Sequence, residues 1–367
     1  MATRLPLPSL EIEGYRAIRH LRIAKLGQVN LFVGKNNVGK TSLLEAIRLY
    51  VSRSPWITLA ELIRERSDYR PPFSSTRGAV EVKPEDVEAV AQAAEAFFHG
   101  AFTGMWSGRL RIGPAGPGRD ALTISLPWSE SIRSREALST ASNLFVGPES
   151  PLLEIERGVE HGQIPFDVLL RRLPLGRRRS SDVIFIPAGG FDQGNMANLW
   201  NRAASAGKST DVEHALRSIV PDLQRIQLLG DMGGAGRAVT LETREASRPI
   251  PLRSMGDGVN RVFGIALAMV QALRGVVLID EVENGLHYSV QEEVWRAVFA
   301  LAAQLQVQVF ATTHSSDCIQ AFAAAANDSP VNGMLHRLES RGRDSLRVVE
   351  MTERDLAIVA RQRIEVR

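Results

Sequence analysis

The chain has 367 residues, 44% hydrophobic and 23% charged, with 30 Gly, 18 Pro and a mean hydropathy of −0.08. This globular balance excludes a mostly disordered, collagen-like or fibrous chain, and the length suffices for one large domain or two to three average ones. A net charge of +3 with a pI of 9.2 permits nucleic-acid contact without demanding it, and the single cysteine, Cys318, excludes an intrachain disulfide or a cysteine metal cluster.

The first 16 residues lack the apolar core of a signal peptide, and no apolar run approaches the ~20 residues that span a bilayer. The expectation is a cytoplasmic protein with no membrane partner. Residues 10–12 and 18–23 alternate as two short strands around Gly14. Residues 29–33 read as a fully buried strand ending at Gly34, and the spacing of Leu43, Leu44, Ile47 and Val51 predicts a helix over 41–52. Residues 53–181 show no dominant period; they offer a helix over 85–98, strands around 122–126 and an arginine run, Arg171, Arg172, Arg177, Arg178 and Arg179. They are read as an inserted α+β region between two parts of one unit, 1–52 and 182–333. Order returns with a strand at 183–186, a helix over 211–220 stopped by Pro221, and a strand at 239–243. Residues 258–273 are apolar nearly all round, hence a buried helix, and short apolar strands at 275–280 and 307–312 flank an amphipathic helix over 289–305. This alternation predicts an α/β fold, a mostly parallel sheet flanked by helices, with an N-terminal antiparallel β subdomain. A closing region, 334–367, reads as a hairpin pairing 334–338 with 346–349, then a helix opened by Thr352 and Asp355.

Four motifs carry chemistry. Gly34-Lys35-Asn36-Asn37-Val38-Gly39-Lys40-Thr41 matches G-x-x-x-x-G-K-[ST] and lies between a predicted strand and a predicted helix, the context a P-loop requires. Its glycines let backbone N–H groups turn inward around phosphate oxygens, and the helix N-terminus adds partial positive charge. Lys40 would reach the β- and γ-phosphates and Thr41 would ligate Mg²⁺, with Ser42 next in the same turn. Val276-Val277-Leu278-Ile279-Asp280-Glu281 places two carboxylates at the end of a buried strand, where open α/β sheets bind ligands. Asp280 would hold the Mg²⁺ shell and Glu281 would orient and deprotonate the attacking water. Thr312-Thr313-His314-Ser315 follows one β-α-β step later, His314 lying 34 residues after Asp280, so His314 would sense the γ-phosphate. Ser254-Met255-Gly256-Asp257-Gly258, before the buried helix, reads as a second anion nest built on Ser254, Gly256 and Gly258. One chain needs a single P-loop, so the second nest suggests a nucleotide held by another subunit.

In chain order, P-loop, Ser254 to Gly258, Asp280-Glu281 and Thr313-His314-Ser315, the motifs resemble the ABC-type ATPase heads, including the SMC proteins, RecF and the OLD-family ATPases. The nearest likeness is to the stand-alone, OLD-like AAA family ATP-binding proteins. It rests on Tyr15-Arg16, Phe185-Ile186-Pro187, Pro251-Leu252 through Gly258, Asp280 through His287 and Ala311 through Ser315, and it covers residues 10–52 and 182–325. The resemblance implies a homodimer with two ATP molecules sandwiched between heads, each P-loop facing the partner's Ser254 to Gly258 segment. It implies that Glu281 is the catalytic base, that His314 is the γ-phosphate switch, and that residues 283–287 cross the dimer interface. It further implies a nucleotide contact from Arg16 and a glutamine linking Mg²⁺ to the helical lobe, for which Gln193 is the best placed. Departures narrow the reading. The signature lacks the final Gln of transporters, no long heptad stretch leaves the head, and about 45 residues follow Phe322, too few for the Toprim nuclease domain of OLD enzymes. The function expected is an ATPase that switches a protein effector, such as a nuclease encoded nearby, or acts on DNA, with phage defence suggested by family association alone. The alternative is a RecF-like DNA repair clamp, with the arginine run supplying phosphate contacts.

Overall fold

The computed structural model describes residues 5–66, 94–100, 108–116, 120–126, 152–165, 183–217, 219–230, 237–340, 346–351 and 355. A strand pair, β1 (Leu10–Tyr15) and β2 (Ile18–Ile23), leads into β3 (Val29–Val33), α1 (Lys40–Val51) and α2 (Pro55–Arg66). The region after α2 contributes β4 (Arg109–Gly113), β5 (Leu122–Ser125), β6 (Leu152–Arg157) and β7 (Glu160–Pro165). Then follow β8 (Val183–Ile186), α3 (Gln193–Ser205), α4 (Ser209–Leu216), β9 (Leu223–Gly230), β10 (Arg237–Thr243), β11 (Ile250–Pro251) and α5 (Asp257–Gln271). The chain continues through β12 (Val276–Ile279), α6 (Tyr288–Leu305), β13 (Gln308–Thr313), α7 (Ser316–Asn327), β14 (Gly333–Ser340) and β15 (Leu346–Met351).

The central sheet runs β15-β14-β3-β13-β12-β8, parallel except for β15, which is antiparallel to β14. The closing hairpin therefore belongs to this sheet, with β14 beside β3. Strands β3, β12 and β13 are buried along their whole length, which is why they read as continuous apolar runs rather than alternating ones. Their two faces feed two cores. Val29, Leu31 and Val33, with Val277, Ile279, Val309 and Ala311, pack toward α3 to α7. Phe32, Val276, Leu278 and Phe310 pack the other way, toward α1 and the antiparallel layer. Phe32 and Phe310 stack across neighbouring strands at 6.3 Å, each worth about 1.5–3 kcal/mol of burial.

The second sheet, β2-β1-β4-β5-β6-β7, is antiparallel throughout. The inserted stretch thus extends the N-terminal strand pair, with β4 pairing along β1. A third sheet, β11-β10-β9, covers the helical side.

Several expectations shift. The helix expected over 211–220 runs Ser209–Leu216, ending before Pro221 because Arg217 already caps it. The strand expected over 239–243 is longer, Arg237–Thr243, and pairs with β9, which the sequence reading lacked. The helix expected over 85–98 lies mostly outside the described residues. At its end residues 94–95 are helical, but Phe98 bridges to Tyr15 instead of continuing the helix. The arginine run lies outside the described residues, as does the helix after Thr352 apart from Asp355. Helix α3 was not foreseen at all. No helix among the described residues is long and apolar enough to cross a membrane.

Candidate functional site

The loop joining β3 to α1 wraps tightly. Gly39 takes φ 101° at the N-cap of α1, a backbone state open to glycine at no steric cost, and no side chain caps the helix. The first N–H groups of α1 are therefore available to an anion. Lys40 is 7% exposed, and its Nζ donates to the carbonyls of Gly34 (2.7 Å) and Lys35 (3.1 Å). Burial pushes the Lys40 ammonium below its usual range, against the pull of Glu281, Glu283 and Asp280. Those three carboxylates act on Lys40 from the far side of the sheet sequence, so the loop and the β12 end share one space.

The bonds between strands show this directly. Thr41 Oγ1 donates to Asp280 Oδ2 at 3.0 Å, and Thr312 Oγ1 donates to Asp280 Oδ1 at 2.6 Å. The same Thr312 oxygen accepts from Glu281 N–H at 2.8 Å. His314 lies at the end of the chain of contacts, its Nδ1 3.8 Å from Glu281 Oε1 and 3.1 Å from Glu283 Oε1. Glu281 takes φ 46°, the left-handed region that non-glycine residues rarely adopt, which turns its side chain back over the strand end. Asn284 Nδ2 holds Glu281 Oε2 at 2.8 Å. Residues 34–41, Asp280, Glu281 and His314, distant in sequence, are thus linked by a continuous run of short contacts at the carboxyl ends of β3, β12 and β13.

Two family models match. Residues 7–94 match the "AAA ATPase domain", and residues 166–317 match the "AAA domain, putative AbiEii toxin, Type IV TA system". Each of the two models matches less than half of the chain. An uncharacterized protein of Methanocaldococcus jannaschii is 38% identical over 60 residues, covering 16% of this chain and 27% of that protein. An ATP/GTP phosphatase of Helicobacter pylori is 21% identical over 335 residues, covering 86% of each. Among solved structures, the SMC head bound to the C-terminal winged-helix domain of ScpA superposes with a TM-score of 0.49 at 11% identity, covering 94% of this chain and 97% of that one. The SMC head domain from Thermotoga maritima superposes with a TM-score of 0.43 at 12% identity, covering 94% and 98%.

The remaining candidate residues are placed as follows. Asp280 Oδ2 and Thr41 Oγ1 are hard oxygens within hydrogen-bond distance of one another, the donor set that suits Mg²⁺. Asp280 also receives Thr312, so its carboxylate is fixed in orientation before any ion arrives. Gln193 stands exposed in the first turn of α3, whose N-cap Asp192 accepts from Asn195 N–H at 2.8 Å. Among the described residues its side chain joins none of the site's bonds. Arg16 is 10% exposed by side chain; its Nε pairs with Glu45 of α1 at 2.7 Å and its guanidinium lies 4.0 Å from the Phe97 ring centre. It therefore sits against the helix that the phosphate loop opens, with Nη2 buried and lacking a hydrogen-bond partner among the described residues. Ser254 lies in a short 3-10 turn and is exposed like Gly256, which caps α5 at φ 87° with no side-chain cap bond. The helix begins at Asp257, so Gly258 belongs to its first turn rather than to the loop before it. Among the described residues no short contact ties this nest to the chain's own phosphate loop.

Sequence reasoning missed two residues that hold the site together. Thr312 bridges Asp280 and Glu281. Arg261, 5% exposed on α5, donates through Nη1 to Pro187 O (2.8 Å) and through Nη2 to Asp280 O (2.6 Å) and Glu281 O (2.8 Å). Burial pushes its guanidinium down to about 10, against the pull of Glu283, Asp280 and Glu281. The available signal was a single arginine inside an otherwise apolar helix, since a buried charge is retained only when it is used.

Proposed function

We propose that the chain binds and hydrolyses ATP with Mg²⁺ at the β3–α1 loop, and that two copies close as a homodimer over two nucleotides. The observation that carries the reading is the contact run from Thr41 through Asp280 and Thr312 to Glu281 and His314. The α1 N–H groups and Lys40 bind the phosphates, and Lys40 exchanges its loop carbonyls for phosphate oxygens. Thr41 and Asp280 hold the ion, which supplies charge neutralisation on the β- and γ-phosphates. Glu281, held by Asn284 and Thr312, accepts the proton of the attacking water, and His314 contacts the γ-phosphate. Arg16 would reach the nucleotide only if its packing against Glu45 and Phe97 opens, and Gln193 would approach the ion only if α3 moves.

The uncapped N-terminus of α5 with exposed Ser254 and Gly256 supports a trans contact, because an anion site without a ligand from its own chain suits one from a second copy. Closure and opening of such a dimer is the motion by which the protein would switch a protein effector, a nuclease among them, or a DNA-bound complex. ATP hydrolysis by the purified chain tests the reading. Glu281→Gln and Lys40→Ala should each lower kcat by about a hundredfold or more, with Glu281→Gln retaining bound ATP and raising the dimer fraction in light scattering. Hydrolysis at the unchanged rate in both variants would refute it.

A further inference from the structure

The loop after β12 divides into an outward and an inward part. Gly285, His287 and Tyr288 are exposed, whereas Glu283 is 8% exposed. Its Oε1 accepts from His314 N–H at 3.0 Å and lies 3.1 Å from His314 Nδ1. Glu281 Oε1 is farther from that nitrogen, at 3.8 Å, and the other Glu281 oxygen is already held by Asn284. One oxygen of Glu283 thus meets both the backbone and the ring of a single residue, which fixes the imidazole plane. By accepting from Nδ1 it leaves Nε2 as the outward nitrogen. The His314 side chain is 47% exposed, and without such an anchor a half-exposed ring samples several rotamers. The second oxygen, Oε2, is buried with no hydrogen-bond partner among the described residues. A carboxylate kept in so costly a place is held there by what its first oxygen does.

We propose that Glu283 is the positioning residue for His314. Resting on the ATPase reading above, it holds the ring as the Nδ1–H tautomer and aims Nε2 at the γ-phosphate, without touching nucleotide itself. Nitrogen NMR of the histidine-labelled full chain, with His314 assigned through His314→Gln, reads the tautomer directly, and steady-state ATP hydrolysis reads the consequence. Wild type should show Nδ1–H at His314. Glu283→Ala should move it to the Nε2–H form favoured by free imidazole, while Glu283→Gln, which keeps an acceptor oxygen, should restore Nδ1–H. The Glu283→Ala kcat should fall about tenfold to a hundredfold with KM for ATP little changed, and adding it to His314→Gln should slow that variant no further. An Nε2–H ring in wild type, or losses that multiply in the double variant, would overturn the proposal. A wild type that hydrolyses no ATP fails the ATPase reading instead, and the tautomer still decides the role of Glu283.

Discussion

The two six-stranded sheets solve different problems, and two histidines show how. In the parallel sheet His336 of β14 is 0% exposed, tilted against Phe32 at 5.1 Å and 3.4 Å from Asn30 Oδ1, with Nδ1 lacking a hydrogen-bond partner among the described residues. In the antiparallel sheet His20 of β2 has a side chain 56% exposed and meets Glu11 at 3.0 Å. Parallel strands covered on both faces leave polar groups no solvent, so each must be bonded or neutral; the antiparallel layer can leave one edge of a pair wet. The candidate site lies at the carboxyl ends of the first sheet, where bonded neighbours fix Asp280 and Glu281 in orientation.

The sharpest way to break this contrast is Thr312→Val, which keeps shape and deletes the hydroxyl. It strips a donor from Asp280 and an acceptor from Glu281 N–H, at about 1–3 kcal/mol for each buried group left unpaired. Urea unfolding should show a loss of at least about 2 kcal/mol, and ATP hydrolysis should fall with it. A pH-dependent effect, small near neutrality and growing in acid, is expected at His336, whose ring burial pushes down to about 3. The unfolded chain takes up a proton near pH 6.5 that the fold refuses until about 3, so stability is complete above the upper value and declines as pH falls through that window. His336→Leu should flatten the stability-against-pH slope there, by at most about 1.4 kcal/mol per pH unit, in unfolding midpoints compared between variant and wild type. The smallest effect is expected at His20→Ala. The hydrogen bond from His20 holds the Glu11 carboxyl below its usual range, so its contribution is present above that range and lost in acid. At neutral pH the variant should cost about 0.5 kcal/mol or less by the same measurement, since one partner is solvent-screened.

Legibility followed the same division. Strands β3, β12 and β13 were readable because full burial makes them unbroken apolar runs, and the phosphate loop because its glycines and Lys40 stand between a strand and a helix. That Asp280, Glu281 and His314 come together followed from their places at strand ends. Helix α3 was not readable, because its buried face is a narrow stripe of Met196, Ala197, Trp200 and Ala203 interrupted by Gly194, Asn195, Asn198 and Asn201, which are weak helix formers. Packing supplies what propensity lacks: Trp200 lies 5.9 Å from Phe263 of α5, and Gln271 donates to Leu199 O. Strand β9 was hidden by the interruption of its alternation at Gln224 and Arg225, and it forms because β10 pairs along its length. Arg261, Thr312 and Glu283 were not assigned their roles, because each acts through partners 19 to 74, 32 and 31 residues away respectively, a separation no local pattern records.

One bare backbone position ties the two halves of this chemistry together. A Cβ at Gly285, where φ is 78°, would stand 2.9 Å from Cβ of Asp257, so the turn below Glu281 and Glu283 rests flush on the first residue of α5. The exposed rim at Ser254 and Gly256 thus lies immediately before a residue that touches the turn carrying Glu281 and Glu283. Any side chain at position 285 would push the start of α5 and the loop after β12 apart.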